Sequence, residues 1–441
     1  MRKKESQLLR TLVILSIPTM LEEVLTTLLQ YVDTAMVGQL GEQATASVSV
    51  TTTIAWLVNS VNAAAGTAVL ALISQAVGAG DRERVKKLSQ QALFLALAFG
   101  LASGGACVAL SPFIPRWMGA EEAIQAQASR YFFIVSLPMI FRAANTVLGA
   151  AIRATQDTRT PMLISMGANL LNAGLNYLLI YPCGLGVDGA AAASAIAYTI
   201  SGGLMFLAYR RKDWLHWRRA EFSIDPPLLR ECGRVGLPVL GTSVTSCMGY
   251  VVFAGMVSGS MGTTVFAAHS IAVTAETIFY IPGYGLRTAT SALVGAALGE
   301  KNEEKLTIIS KLSVGMTVGM MCLSGVLLYL VAQPLMALFS PVEEVVSLGA
   351  EMLRLVAFSE PFFGLMIVLE GIFYGLGRTR SAFLIETGSM WGVRIFLTFL
   401  CVRVWGLDLR AVWYCMIADN VCKAVLFAAV FLRTRRAARV K

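Results

Sequence analysis

Apolar residues run along this chain in blocks of about twenty or more, broken by short polar stretches. A helix needs about 20 apolar residues to cross a bilayer core. Twelve blocks meet that length, at about 11–36, 48–76, 90–111, 127–152, 161–181, 189–209, 233–257, 265–298, 307–331, 345–374, 382–404 and 409–432. None alternates with the period of a strand, so the pattern predicts an all-α integral membrane protein of twelve transmembrane helices.

The blocks repeat. Leu15-Ser16-Ile17-Pro18 returns as Val235-Gly236-Leu237-Pro238, 220 positions later. Gln75-Ala76-Val77-Gly78 returns 221 positions later as Ala296-Ala297-Leu298-Gly299, and Ala154-Thr155-Gln156-Asp157 as Gly375-Leu376-Gly377-Arg378. The register predicts two six-helix lobes: an N-lobe over 1–209, a cytoplasmic linker over 210–230 and a C-lobe over 231–441. With six spans each, both lobes enter the membrane from the same side, which is a parallel pseudo-two-fold repeat of the kind secondary transporters use.

Composition agrees with the block pattern. Hydrophobic residues make up 56% of the 441 and charged residues 14%, where a soluble domain carries about a quarter charged. The net charge of +9 follows the membrane rather than a nucleic-acid face. Arg2, Lys3 and Lys4, then Arg82, Arg84, Lys86 and Lys87, then Arg210, Arg211, Lys212, Arg218 and Arg219, then Arg433, Arg435, Arg436, Arg439 and Lys441 all fall on one side when spans are counted. Lys and Arg gather on the cytoplasmic side. The expectation is a multi-pass protein of the cytoplasmic membrane with both termini inside, no cleavable signal peptide and no nucleic-acid partner. Arg403 and Arg410 dissent on the outside, partly offset by Asp408. Trp214 and Trp217 in the linker read as interfacial anchors.

Several chemistries are missing. No G-x-x-x-x-G-K-[ST] loop, H-E-x-x-H or G-x-S-x-G occurs, and the two histidines, His216 and His269, are far apart in sequence. No C-x-x-C pair occurs among the eight cysteines. No metal, cofactor or enzymatic role is expected, and gradient-driven transport remains.

Ionisable residues at bilayer depth are costly enough that each needs a reason. Asp33, late in the first span, either binds H⁺ or Na⁺ or ties helices together. Glu22 and Glu23 follow Pro18 by one turn, and Glu22 lies eleven residues before Asp33, on nearly the same helix face. Pro18 removes a backbone hydrogen bond and is a site for bending. Asn169, Asn172 and Asn176 share one face of the fifth span, suited to a cation, to a neighbouring carboxylate or to interhelical bonding. Arg142 is a counter-ion for an acid of the same half. In the second half Glu276 and Glu370 are candidates for the substrate or proton path, Gly149 occupying the position equivalent to Glu370. Asp419 and Lys423, spaced i, i+4, pair with each other. The second-half methionines are mostly packing, with some suited to an adaptable pocket.

Pro18, Asp33-Thr34-Ala35-Met36-Val37-Gly38, Gly78-Ala79-Gly80, Arg153 through Asp157-Thr158, the Gly184-to-Ala190 turn and Ala267-Ala268-His269 together resemble the multidrug and toxic compound extrusion (MATE) family over essentially the whole chain. The resemblance implies a V-shaped, two-lobed antiporter that exports organic cations and drugs against inward H⁺ or Na⁺. It implies that Asp33 is the first-helix cation-coupling aspartate, with Asn172 beside it, and that Pro18 is the bending proline. Some family members carry a fifth-helix aspartate where this chain has Asn176. Others carry a seventh-helix glutamate and a tenth-helix aspartate where it has Ser246 and Phe363. Glu276 and Glu370 would then supply the second-lobe charge.

The resulting expectation is a monomeric antiporter for amphipathic organic cations, working by alternating access with H⁺ or Na⁺ as coupling ion. The alternatives are a lipid-linked oligosaccharide flippase of the wider superfamily and, less well supported, an intramembrane enzyme.

Overall fold

The computed structural model describes residues 2–218 and 221–439; Arg219 and Lys441 of the basic clusters lie outside them. The described chain is helical with no strand. The helices are α1 (Arg2–Gly38), α2 (Glu42–Gly78), α3 (Arg82–Leu110), α4 (Glu122–Ser136), α5 (Met139–Ala154), α6 (Arg159–Ile180), α7 (Gly186–Arg211), α8 (Pro226–Met261), α9 (Thr263–Gly299), α10 (Glu303–Phe339), α11 (Glu343–Ala357), α12 (Glu360–Gly375), α13 (Thr379–Ser389) and α14 (Leu409–Arg439). Past its end α13 continues through π turns at Met390–Ile395 and Leu400–Val404.

Among the described residues ten helical segments are long and apolar enough to cross a membrane, and twelve when α4–α5 and α11–α12 each count as one bent span. The fourth and tenth blocks are thus each divided into two helices. They bend by 48° and 57°, at Leu137-Pro138 and Phe358-Ser359, which are repeat-equivalent positions. Pro138 caps α5, and Pro361 stands in the first turn of α12. Proline lacks the N–H that would continue the preceding helix, so the chain breaks beside it. Leu101, Leu323, Leu330 and Leu338 are exposed by 62% or more, as expected of side chains that meet lipid rather than water.

Contacts group the chain into an N unit, residues 21–240 with 295–302, and a C unit, residues 1–20, 241–294 and 303–441. Three of the divisions fall inside continuous helices, two residues after Pro18 in α1, two after Pro238 in α8, and after Val294 near the end of α9. The segment 210–230 packs within the N unit. Trp217 is buried there at 5% exposure rather than standing free at an interface, and Ser89, Gln90 and Gln91 of α3 bond the backbone of Leu215, Glu221 and Ser223. Lys212 bonds Asp157 at 2.8 Å. Burial pushes the Asp157 carboxyl up, but Lys212 and the Thr160 hydrogen bonds outweigh it, leaving its pKa below the ordinary value.

The repeat is visible in loop backbone. Gly80 and its equivalent Lys301 have φ of 71° and 54°, and Gln156 and its equivalent Gly377 have 64° and 69°. The left-handed turn is conserved between halves even where glycine is not. Inside the N unit the ends of α2 and α9 cross in backbone contact. A Cβ at Gly78 would lie 2.0 Å from the Ala296 oxygen, and one at Gly299 would lie 1.9 Å from the Gln75 oxygen. Small residues allow helices this close, which explains why both halves carry glycine here.

Neither carbonyl can retreat without moving its helix. Gly299→Ala is therefore expected to destabilise by about 3 kcal/mol, the upper part of the usual overpacking range. Gly315→Ala, at a helical glycine with nothing within 4 Å, is expected to be neutral or mildly stabilising. Thermal unfolding of the two variants side by side checks this; equal midpoints would refute the close-crossing account.

Candidate functional site

The N unit encloses a polar cavity of about 470 Å³. One wall is α1, which presents Glu22, Glu23, Thr26, Gln30 and Asp33. Residues spaced by three, four and seven share a helical face, so the one-face placement of Glu22 and Asp33 read from spacing is what the structure contains. The fifth span, α6, supplies Asn169 and Asn172, α5 supplies Arg142 and Asn145, and α7 supplies Tyr198 and Ser201.

Asp33 is half-buried and held by amides. Asn176 Nδ2 donates to its Oδ1 at 2.7 Å. In the orientation that satisfies both ends of its amide, Asn172 Nδ2 donates to Asp33 Oδ2 at 2.7 Å and its oxygen accepts from Ser194 N at 3.1 Å. Asn169 bonds Thr26 Oγ1 instead, at 2.9 Å. Of the three asparagines in the stripe, two serve the carboxylate and one ties α6 to α1.

Glu22 has a different environment. Arg153 Nη2 reaches both of its oxygens, at 2.6 and 2.8 Å, and the two side chains are 13% and 16% exposed. The counter-ion for this acid is therefore Arg153, at the end of α5; Arg142, the sequence's candidate counter-ion for an acid of this half, makes no ion pair among the described residues. Glu23 also faces the cavity. Pro18 lies within α1 four residues before Glu22. The next residue, Thr19, donates to the Gly285 carbonyl at 2.8 Å.

The C unit holds the other acids in tighter surroundings. Glu370 accepts from Arg287 at 2.6 Å and from the Tyr374 hydroxyl, and is 6% exposed. Asp419 and Lys423 do pair, at 3.2 Å, but within a larger network. Arg394 reaches Asp419 at 2.9 Å, Lys423 reaches Glu386 at 3.0 Å, and Ser389 donates to Asp419 at 2.6 Å. The π turn at Met390–Ile395 carries Arg394 in this network. Glu276 is 7% exposed and interacts electrostatically with Arg394 and Glu360. Glu360, at the break between α11 and α12, is 1% exposed, and neither of its oxygens has a hydrogen-bond partner among the described residues. His269 stands between the Phe253 and Trp413 rings, with centroids 5.6 and 5.7 Å away. Phe363 packs on Tyr280.

Sequence reasoning passed over Arg287, Glu360, Glu386 and Arg394. All lie inside predicted spans, so a census of every charge at bilayer depth would have found them.

The MatE family profile matches residues 18–178 and 238–400, once in each half. A probable multidrug resistance protein NorM from Thermotoga maritima is 25% identical over 98% of this chain and 94% of its own length. The corresponding protein of Pseudomonas syringae is 27% identical over 92% and 90%. Probable multidrug resistance protein YpnP from Bacillus subtilis is 26% identical over 90% and 89%. Among solved structures, an outward-facing multidrug resistance MATE transporter superposes with a TM-score of 0.93 at 23% identity, covering 99% and 98% of the two chains. A MOP superfamily transporter from Pyrococcus furiosus superposes with 0.92 at the same identity and coverage. At that identity the superpositions establish the fold. With a profile spanning both repeats, a twelve-segment helical fold and full-length relatives, the chain belongs to the MatE family of multidrug and toxic compound extrusion transporters and is not an enzyme.

Proposed function

We propose that this protein exports amphipathic organic cations across the cytoplasmic membrane in exchange for protons, by alternating access, as a monomer with both termini inside. The observation that carries this reading is the N-unit cavity, drug-sized at about 470 Å³ and walled by the acids of α1. Relatives named multidrug resistance proteins over nearly their full length support drug export.

Asp33 is the proposed coupling residue, with Asn172 and Asn176 as the groups that hold its charged form. Both amides offer it N–H donors. Donors suit a carboxylate that gains and loses a proton. A Na⁺ site would call instead for several oxygens converging on one point. Protonation removes the charge that these donors and a bound cationic drug both favour, so proton and drug compete for one group. Glu23 would assist in substrate binding, while Glu22, neutralised by Arg153, would shape the cavity. Pro18 would allow α1 to bend beside it. In the C unit, Glu276 with Glu360 offers a second titratable group, and Glu370 is held by Arg287.

Efflux of a fluorescent organic cation from proteoliposomes, under a pH gradient alone or a Na⁺ gradient alone, tests the reading. The pH gradient is expected to drive efflux and the Na⁺ gradient to leave it at the rate of empty liposomes. Efflux under Na⁺ alone would replace the coupling ion; efflux under neither would remove drug export.

A further inference from the structure

An apolar groove of about 410 Å³ opens in the C unit at the bend between α11 and α12. Cys322, Val326, Tyr329 and Leu330 of α10 form one wall, and Phe358 and Pro361 at the bend form the other. The walls meet at Gly325, where a Cβ would lie 2.5 Å from the Ala357 oxygen. Phe358 is 73% exposed, and Val326 and Leu330 are exposed with it, on helices apolar enough to cross a membrane. In a bilayer such a groove is filled by hydrocarbon. One cation stands at its rim. Arg354, one turn before Phe358 on α11, has its guanidinium carbon 6.0 Å from the centroid of the Tyr329 ring, and its Nη2 donates to Gln333 Oε1 at 3.4 Å. Among the described residues it makes no ion pair; Glu351, three residues earlier on the same helix, is taken by Arg410 at 2.5 Å. Gln333 lies six residues before the end of α10 at Phe339, about 9 Å along the helix. An arginine near the end of a span extends toward the lipid headgroups, and its planar fork matches a phosphate.

We propose that this groove holds one phospholipid of the surrounding membrane, with an acyl chain against Val326, Leu330 and Phe358 and the phosphate on Arg354. Charge complementarity selects the occupant. The groove alone would take any hydrocarbon, but hydrocarbon offers nothing to the five N–H donors of a guanidinium. Seated there, the chain covers Phe358 at the bend and so favours the bent form of α11–α12. Neither drug nor coupling ion is needed at this site, so lipid binding and drug export stand or fall separately.

Photo-crosslinking to the purified full-length protein in detergent tests this with two probes of identical chains, each carrying a diazirine midway along one chain. One is a phosphatidylglycerol and the other is the diacylglycerol that lacks its headgroup. Peptide mass mapping reads where each probe sits. Wild type is expected to give adducts on residues 322–330 and 357–361. At equal sub-saturating concentration the phospholipid yield there is expected to exceed the diacylglycerol yield about tenfold or more, the value of one charge-assisted hydrogen-bonded pair. Arg354→Met keeps an unbranched stem against Tyr329 and is expected to abolish that difference while holding the diacylglycerol yield within about twofold. Arg354→Lys, a point charge without the fork, is expected to keep part of it. A retained diacylglycerol yield shows that the variants are folded. Equal yields from the two probes in wild type, or no adduct on these segments, overturns the inference. An undiminished preference in Arg354→Met, or an equal loss of both probes in that variant, overturns it as well, and each of these results leaves drug export standing.

Discussion

Asp33→Asn is expected to leave a folded protein whose transport no longer responds to a proton gradient. Asparagine has the size of aspartate and keeps one oxygen for the N–H groups of Asn172 and Asn176. The cost to folding is then about one hydrogen bond, near 1 kcal/mol. What disappears is the titratable group. Coupling between two ligands is typically about 1–3 kcal/mol, or about 5–150-fold in affinity. Drug affinity of the wild type is therefore expected to fall by that factor between alkaline and acidic pH, and the variant's affinity to stay flat within about twofold. Gradient-driven efflux should fall to the background of empty liposomes. The sign follows from competition: acid protonates Asp33 and expels the cation, and alkali restores the carboxylate and its hold on the drug. A variant whose affinity still varies with pH would move coupling to Glu23 or to the Glu276–Glu360 pair in the C unit.

The largest loss of stability is expected from Asp419→Ala. Asp419 is fully buried and receives Arg394, Lys423 and Ser389, while Lys423 also reaches Glu386. Its removal takes away the carboxylate that both buried cations reach. Breaking a buried ion pair by removing one partner costs about 3–5 kcal/mol. For contrast, Lys4–Glu304 bonds at the same quality, 2.7 Å, but its side chains are 46% and 59% exposed. Glu304→Ala should therefore leave the unfolding midpoint close to that of the wild type, because solvent screens an exposed pair. Thermal unfolding in detergent compares the two. A midpoint for Asp419→Ala as high as that of Glu304→Ala would show that the network does not hold the C unit together.

The two acids Glu22 and Asp33 illustrate how far one-dimensional reading reaches. Their shared face follows from helical geometry, because eleven residues are close to three turns. Their different fates do not follow from it. Arg153, 131 positions from Glu22, and Asn176, 143 positions from Asp33, are brought in by helix packing. Arg142 reads from the sequence as a candidate counter-ion for an acid of its half, yet it is Arg153 of the same helix that takes Glu22. Eleven residues also separate these two arginines, so the face they share does not decide which one an acid meets. The linker tells the same story: its tryptophans resemble interface anchors, yet Trp217 is covered because Ser89, Gln90 and Gln91 on α3 offer the linker backbone hydrogen bonds.

By itself the chain determines everything that depends on short-range spacing or on the bilayer. Blocks of twenty apolar residues must be helices, because backbone polar groups in lipid have no other partner. The repeat follows from register, and the weight on Asp33 follows from the cost of charge at depth. Tertiary structure alone decides which acids are neutralised, as Glu22 and Glu370 are, which are held by amides, as Asp33 is, and which find no hydrogen-bond partner among the described residues, as Glu360 does. It also decides that Arg142 is left to the cavity. Pairing is a matter of a few ångströms between residues far apart in the chain, and helical periodicity carries no record of which helix becomes the neighbour.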